Sequence, residues 1–171
     1  MTLANRLGGA GAVEVLVRLL GGTVPEGDLA WAPYRGVLLD IGDGHAERLM
    51  SDESGRRLDY WPRVWAARAL AYVGSREASP VLITALGDGH WRVRMTAIQT
   101  IGRLSIEGVT PQLLERLNDE HARVRSAAIL ALDRVGTEEA VQQLLRQPVT
   151  GGERARADRA VARILERADR S

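Results

Sequence analysis

A seven-residue stretch of this chain returns 31 residues later, and a helical pattern follows it both times. Asp88-Gly89-His90-Trp91-Arg92-Val93-Arg94 and Asp119-Glu120-His121-Ala122-Arg123-Val124-Arg125 carry the same residue at five of seven positions. Pro62, Val93 and Val124 stand 31 apart. Four residues on come Ala66, Ala97 and Ala128; eight on, Leu70, Ile101 and Leu132; eleven on, Val73, Leu104 and Val135. Offsets of 0, 4, 8 and 11 trace one stripe of an α-helix. The preceding segments align at the same period: Ala78 with Val109, Pro80 with Pro111, Leu82 with Leu113, Ile83 with Leu114, and Leu86 with Leu117. A helix pair recurring at this spacing is a stacking unit, because neither helix hides its apolar stripe alone. Stacking buries the stripe between neighbours, each large aliphatic side chain contributing roughly 1.5–3 kcal/mol.

The pattern extends in both directions. Upstream, Val13, Leu16 and Leu20 share a helical face that Gly21 and Gly22 close. A helix is predicted over 29–41 with Asp28 as its N-cap, then a weaker one over 45–54. The degenerate unit at 42–60 is a candidate hinge. Pro62 suits the first turn of a helix that runs to Val73 and stops at Gly74. Downstream, helices are predicted over 138–147 and 154–168, the latter with Ala157, Ala160, Val161, Ile164 and Ala168 inward. The expectation is an all-α protein: one α-α superhelix of about five helix pairs over residues 1–171. Its repeats are clearest at 60–147, and a capping pair occupies 137–170.

The tetratricopeptide and ankyrin signatures are missing. The pattern Asp119, Val124-Arg125, Ala127-Ala128, Ala131-Leu132, Val135-Gly136 resembles the short HEAT repeat of the phycobilisome-lyase type. The preceding copy has Ser105 where that pattern places glycine, and the one before it has Arg57 where the aspartate belongs. The resemblance implies an armadillo-like solenoid in which Asp88 with Arg94, and Asp119 with Arg125, form a structural ladder at the inter-helix turns. Aspartate at that turn is also a reasonable cap for the second helix. The motif speaks to fold and leaves function to be argued from the surface.

Composition removes several function classes. The chain has no Cys, which excludes disulfides and thiolate metal sites. No apolar run reaches the length of a membrane span. Net charge is +1, an argument against a strong electrostatic footprint for nucleic acid. All 23 basic residues are Arg and Phe is absent, as expected of a GC-rich bacterial genome. The amphipathic N-terminal segment, interrupted by Glu14, makes a poor signal peptide, so a cytoplasmic location is expected. No nucleophile–base pair, G-x-S-x-G elbow or phosphate-cradling glycine motif appears, so no catalytic residue and no cofactor are assigned. His90 and His121 fall in equivalent turns, too far apart for one metal to bridge, and no metal is assigned.

The residues opposite the core stripe of the second helices are unusually small and apolar for a solvent face. They define a candidate concave groove for a protein or peptide: Val64, Trp65, Arg68, Tyr72, Met95, Gln99, Arg103, Leu130, Asp133 and Arg134. All four Trp and three Tyr lie between Trp31 and Trp91, either filling core or lining that surface. The main expectation is a non-enzymatic scaffold. Two alternatives are a DNA-glycosylase-like nucleic-acid binder using Asp133 beside Arg134 and Arg103, and a subunit resembling bilin lyases. Arg156, Arg159, Arg163, Arg167 and Arg170 make one stripe, expected to be the solvated outer face of the cap.

Overall fold

The computed structural model describes residues 3–21, 60–74, 76–148 and 151–170. The helices expected over 29–41 and 45–54, the candidate hinge, Trp31, Tyr34 and His45 lie outside the described residues. Within them stand eight α-helices. These are α1 (Leu3–Leu20), α2 (Tyr60–Val73), α3 (Ser79–Thr84), α4 (Trp91–Leu104), α5 (Thr110–Glu115), α6 (Ala122–Val135), α7 (Glu139–Arg146) and α8 (Gly151–Ala168). They pack as helix hairpins in a solenoid-like series: α3 with α4, α5 with α6, α7 with α8. The second helices α2, α4, α6 and α8 lie side by side, and α1 packs along α2.

The first helices α3 and α5 are short because proline starts them and a tightened turn ends them. Pro80 and Pro111 occupy the opening positions of α3 and α5, where a missing N–H leaves no bond unmade. Each then passes into a 3-10 turn, Ala85–Gly87 or Arg116–Asn118. The repeat of 31 is thus preserved element by element.

The stripe read from the sequence is the core. Ala66, Ala97 and Ala128 are fully buried, as are Leu70, Ile101 and Leu132. Alanine there lets neighbouring second helices approach. Gly102 carries this furthest: a Cβ on it would sit 3.3 Å from the Cα of Ala131 in α6. The Thr100 hydroxyl donates to the Ala67 carbonyl across the α2–α4 seam at 2.8 Å, satisfying a buried polar group. The stripe fails at one end, where Val73 is 37% exposed. It stands in the last turn of α2. The final helix starts at Gly151, earlier than the sequence suggests, and buries Ala157, Ala160 and Ile164.

Ser105, the departure from the glycine pattern, ends α4 in the left-handed region at φ 51°, ψ 51°. The N–H of Ile106 reaches back to the Ile101 carbonyl at 3.1 Å, and the Ile106 side chain is buried. This is a Schellman closure, which glycine makes without steric cost. A side chain there costs roughly 1–2 kcal/mol. Ser105→Gly is therefore expected to stabilise the protein by about 1 kcal/mol, read as a higher urea midpoint at unchanged slope.

Candidate functional site

Two features of the second helices are candidates for function: the turn at their N-termini and the open face along their flank. The turn is built first. Arg94 crosses to the next repeat and grips Asp119 with two donors, Nε to Oδ2 at 2.8 Å and Nη2 to Oδ1 at 2.9 Å. Its third nitrogen returns to its own turn, Nη1 donating to the Asp88 carbonyl at 2.9 Å, and Nη2 also donates to Glu120 Oε1 at 3.2 Å. Arg63 grips Asp88 in the same way, at 2.8 and 3.3 Å. Arg125 donates to the Asp119 carbonyl at 2.9 Å, and one period beyond Asp119 the sequence has Thr150. Arg94 thus makes the full rung, joining the following repeat's aspartate side chain and its own repeat's aspartate carbonyl, while Arg63 shows the first contact and Arg125 the second.

The aspartates do not cap the helices, contrary to the expectation from sequence. Their Oδ1 atoms accept from the His90 and His121 N–H groups at 2.8 and 2.9 Å, shaping the turn. The caps are the histidines: His90 Nδ1 accepts from the Arg92 N–H and His121 Nδ1 from the Arg123 N–H, both at 3.3 Å. The imidazoles are also stacked. His90 lies flat on Tyr60 with centroids 3.5 Å apart, and His121 on Trp91 at 3.8 Å. Arg92 sits over Trp91 at 4.7 Å and reaches Tyr60 Oη at 3.3 Å. The sequence reading gave these histidines no role. The signal that reveals it is the equal 30-residue step from Tyr60 to His90 and from Trp91 to His121.

The open face is formed by two shallow grooves. The first, about 370 Å³ between α2 and α4, is lined by Val64, Arg68, Tyr72, Met95, Gln99 and Arg103 among others. The second, about 310 Å³ between α4 and α6, is lined by Gln99, Arg103, Leu130, Asp133 and Arg134 among others. The structure thus brings together nine of the ten residues placed on this face from the sequence. Trp65 is the exception: it is buried, pairs with the Trp61 ring and lines neither groove. Tyr72 is 64% exposed and Leu130 49%, so the flank carries bare apolar surface. Arg103 stacks over the Tyr72 ring at 4.3 Å. Arg68 and then Arg103, beside the phenol oxygen, hold its pKa below the ordinary tyrosine value.

Asp133 is clasped. Arg163 from α8 pairs with its Oδ2 at 2.7 Å. Arg167 donates to the carbonyls of Asp133 and Gly136 at 2.7 and 2.9 Å, filling acceptors left open at the end of α6. Two members of the arginine stripe therefore fasten the terminal hairpin instead of facing only solvent. The carboxylate on which a base-excision reading depends is an ion-pair partner in this clasp.

Residues 56–123 and 97–166 each match the family model of HEAT repeats. These matches span more than half of the chain, and the protein belongs to the HEAT-repeat family. Comparison with curated proteins finds no match. No helix among the described residues is long and apolar enough to cross a membrane.

Two pH windows follow from the turn. Burial raises the Asp119 carboxyl, but the Arg94 fork and the His121 N–H bring it below its ordinary value. Its stabilisation is present above the unfolded carboxylate pKa and is lost as pH falls through the lowered one. The Arg94–Asp119 side chains are 8% and 3% exposed, against 22% and 12% for Arg63–Asp88. Asp119→Ala is therefore expected to cost about 3–5 kcal/mol in urea unfolding, and Asp88→Ala distinctly less.

His90 titrates in a separate window. Burial first, then the charge of Arg92, lower its pKa; Asp88 opposes, while Arg63 and Arg94 add to the shift. The unfolded state then binds more protons, so stability is full above the unfolded value of about 6.5 and falls as the solution is acidified through the lowered one. Acidification from neutrality to about pH 5 should reduce the melting temperature of the wild type more than that of His90→Asn, which keeps a capping acceptor but does not titrate. Equal slopes for the two would refute the assignment.

Proposed function

We propose that this protein is a non-enzymatic interaction scaffold that holds another protein or a peptide along the flank of α2, α4 and α6. Membership of a family of stacked helical repeats supports a protein-binding role in general. The observation that carries the particular face is the pair of grooves sharing Gln99 and Arg103, with Tyr72 and Leu130 left bare on either side. Exposed aromatic and aliphatic surface beside arginine is the composition of binding hot spots. The 31-residue period and the Asp, Val-Arg, Ala-Ala pattern support the phycobilisome-lyase type of repeat. That type concerns architecture and does not by itself assign pigment chemistry.

A photo-crosslinking amino acid placed at Gln99, on the shared wall of the grooves, is expected to join a partner in cells. The same group at Gln142, exposed on α7 at the opposite helix layer, is expected to join none. Equal yields at both positions, or none at Gln99, would remove this face from consideration.

A further inference from the structure

The charges on the flank identify the chemistry of what it holds. Tyr72, Arg103 and Arg134 are one repeat apart from each other, at equivalent places on α2, α4 and α6. Arg68 stands one turn before Tyr72. Among the described residues, Arg68, Arg103 and Arg134 make no ion pair, although the chain as a whole is nearly neutral. The first groove has no carboxylate in its lining. The second has only Asp133, which Arg163 neutralises. Arg63 and Arg94, by contrast, are matched to aspartates with bidentate geometry. The Arg134 stem runs beside Gly102, its Cδ 3.8 Å from where a Cβ would stand, so it lies along the α4–α6 seam.

We infer that the groove takes an acidic, extended peptide segment of a partner protein, with carboxylates three residues apart and apolar residues between them. This rests on the scaffold reading above. Packed helices lie about 8–10 Å apart, which sets the interval between Arg103 and Arg134. A polyproline-type strand advances about 9 Å in three residues and returns the same face. A helix, about 10 Å across, is too thick for two shallow grooves of this size. The floor between the arginines is Val64, Met95 and Leu130, which suits aliphatic side chains and not a sugar–phosphate backbone. The row Arg68, Gln99, Leu130 runs from charged through polar to apolar and gives the bound segment a direction.

The test is fluorescence anisotropy with a labelled peptide bearing glutamate at every third position, leucine and proline between. Its glutamine analogue and a single-stranded oligonucleotide serve as comparators. The glutamate peptide should bind, weaken with added salt, and lose about tenfold for each arginine in Arg103→Glu and Arg134→Glu. Arg103→Gln with Arg134→Gln gives a milder second variant, and the melting temperature of each confirms that it folds. Equal binding of the glutamine analogue would overturn the proposal, as would displacement of the peptide by lower concentrations of oligonucleotide. Concentration-dependent self-association abolished by the same variants would overturn it in favour of a second copy of this chain. Crosslinking from Gln99 separates the two levels. If it persists undiminished in the charge-reversed protein, the scaffold reading stands and the acidic occupant falls; if it is absent in the unaltered protein, the scaffold reading itself falls.

Discussion

The Arg94–Asp119 fork is the interaction on which the rest of the architecture depends. It is a planar, two-donor contact between consecutive repeats, nearly closed to water, and its third donor ties the same guanidinium to the turn it came from. A point charge on a flexible stem lacks this geometry; the guanidinium fixes both distance and rotation. With the turn set, the alanine stripe can lie at one height in every layer. Burial supplies the favourable free energy, while the fork sets the register in which burial occurs. A buried ion pair is modest evidence for net stability, and here its clearest consequence is alignment.

The parts of this structure that repeat were legible in the chain, and the parts that join unlike elements were not. Ala66, Ala97 and Ala128 are read as core because helical periodicity and the 31-residue period agree on them, and all three are fully buried. The groove residues follow from the same phase, since whatever lies opposite a buried stripe on a half-covered helix must face outward. Trp65 was misplaced because its helical angle lies on the boundary, where the bulk of an indole draws it inward. The histidine caps were missed because aspartate is the commoner cap, and the choice depends on a turn geometry that sequence spacing does not encode. The arginine clasp on Asp133 joins α8 to α6 once, with no second copy to betray it.

Charge distribution separates the two edges of the second helices. At their N-terminal turns the guanidinium groups of Arg63, Arg92, Arg94, Arg123 and Arg125 are each met by carboxylate, carbonyl or ring. Along the flank Arg68, Arg103 and Arg134 meet no carboxylate among the described residues, and Arg103 rests on the Tyr72 ring. A nearly neutral chain can therefore present a strongly polarised surface over a few residues, and net charge alone conceals it.

The rungs of the ladder are self-contained. A unit that begins at Asp88 and ends at Asn118 brings one acceptor for the repeat before it and one donor for the repeat after it. Copying that unit in tandem leaves no fastening unmatched, whereas a copy without its aspartate or its arginine leaves a partner in the adjoining repeat unmatched. The length of the rod is in this sense a quantity that duplication can change freely, one whole layer at a time, without renegotiating any existing joint.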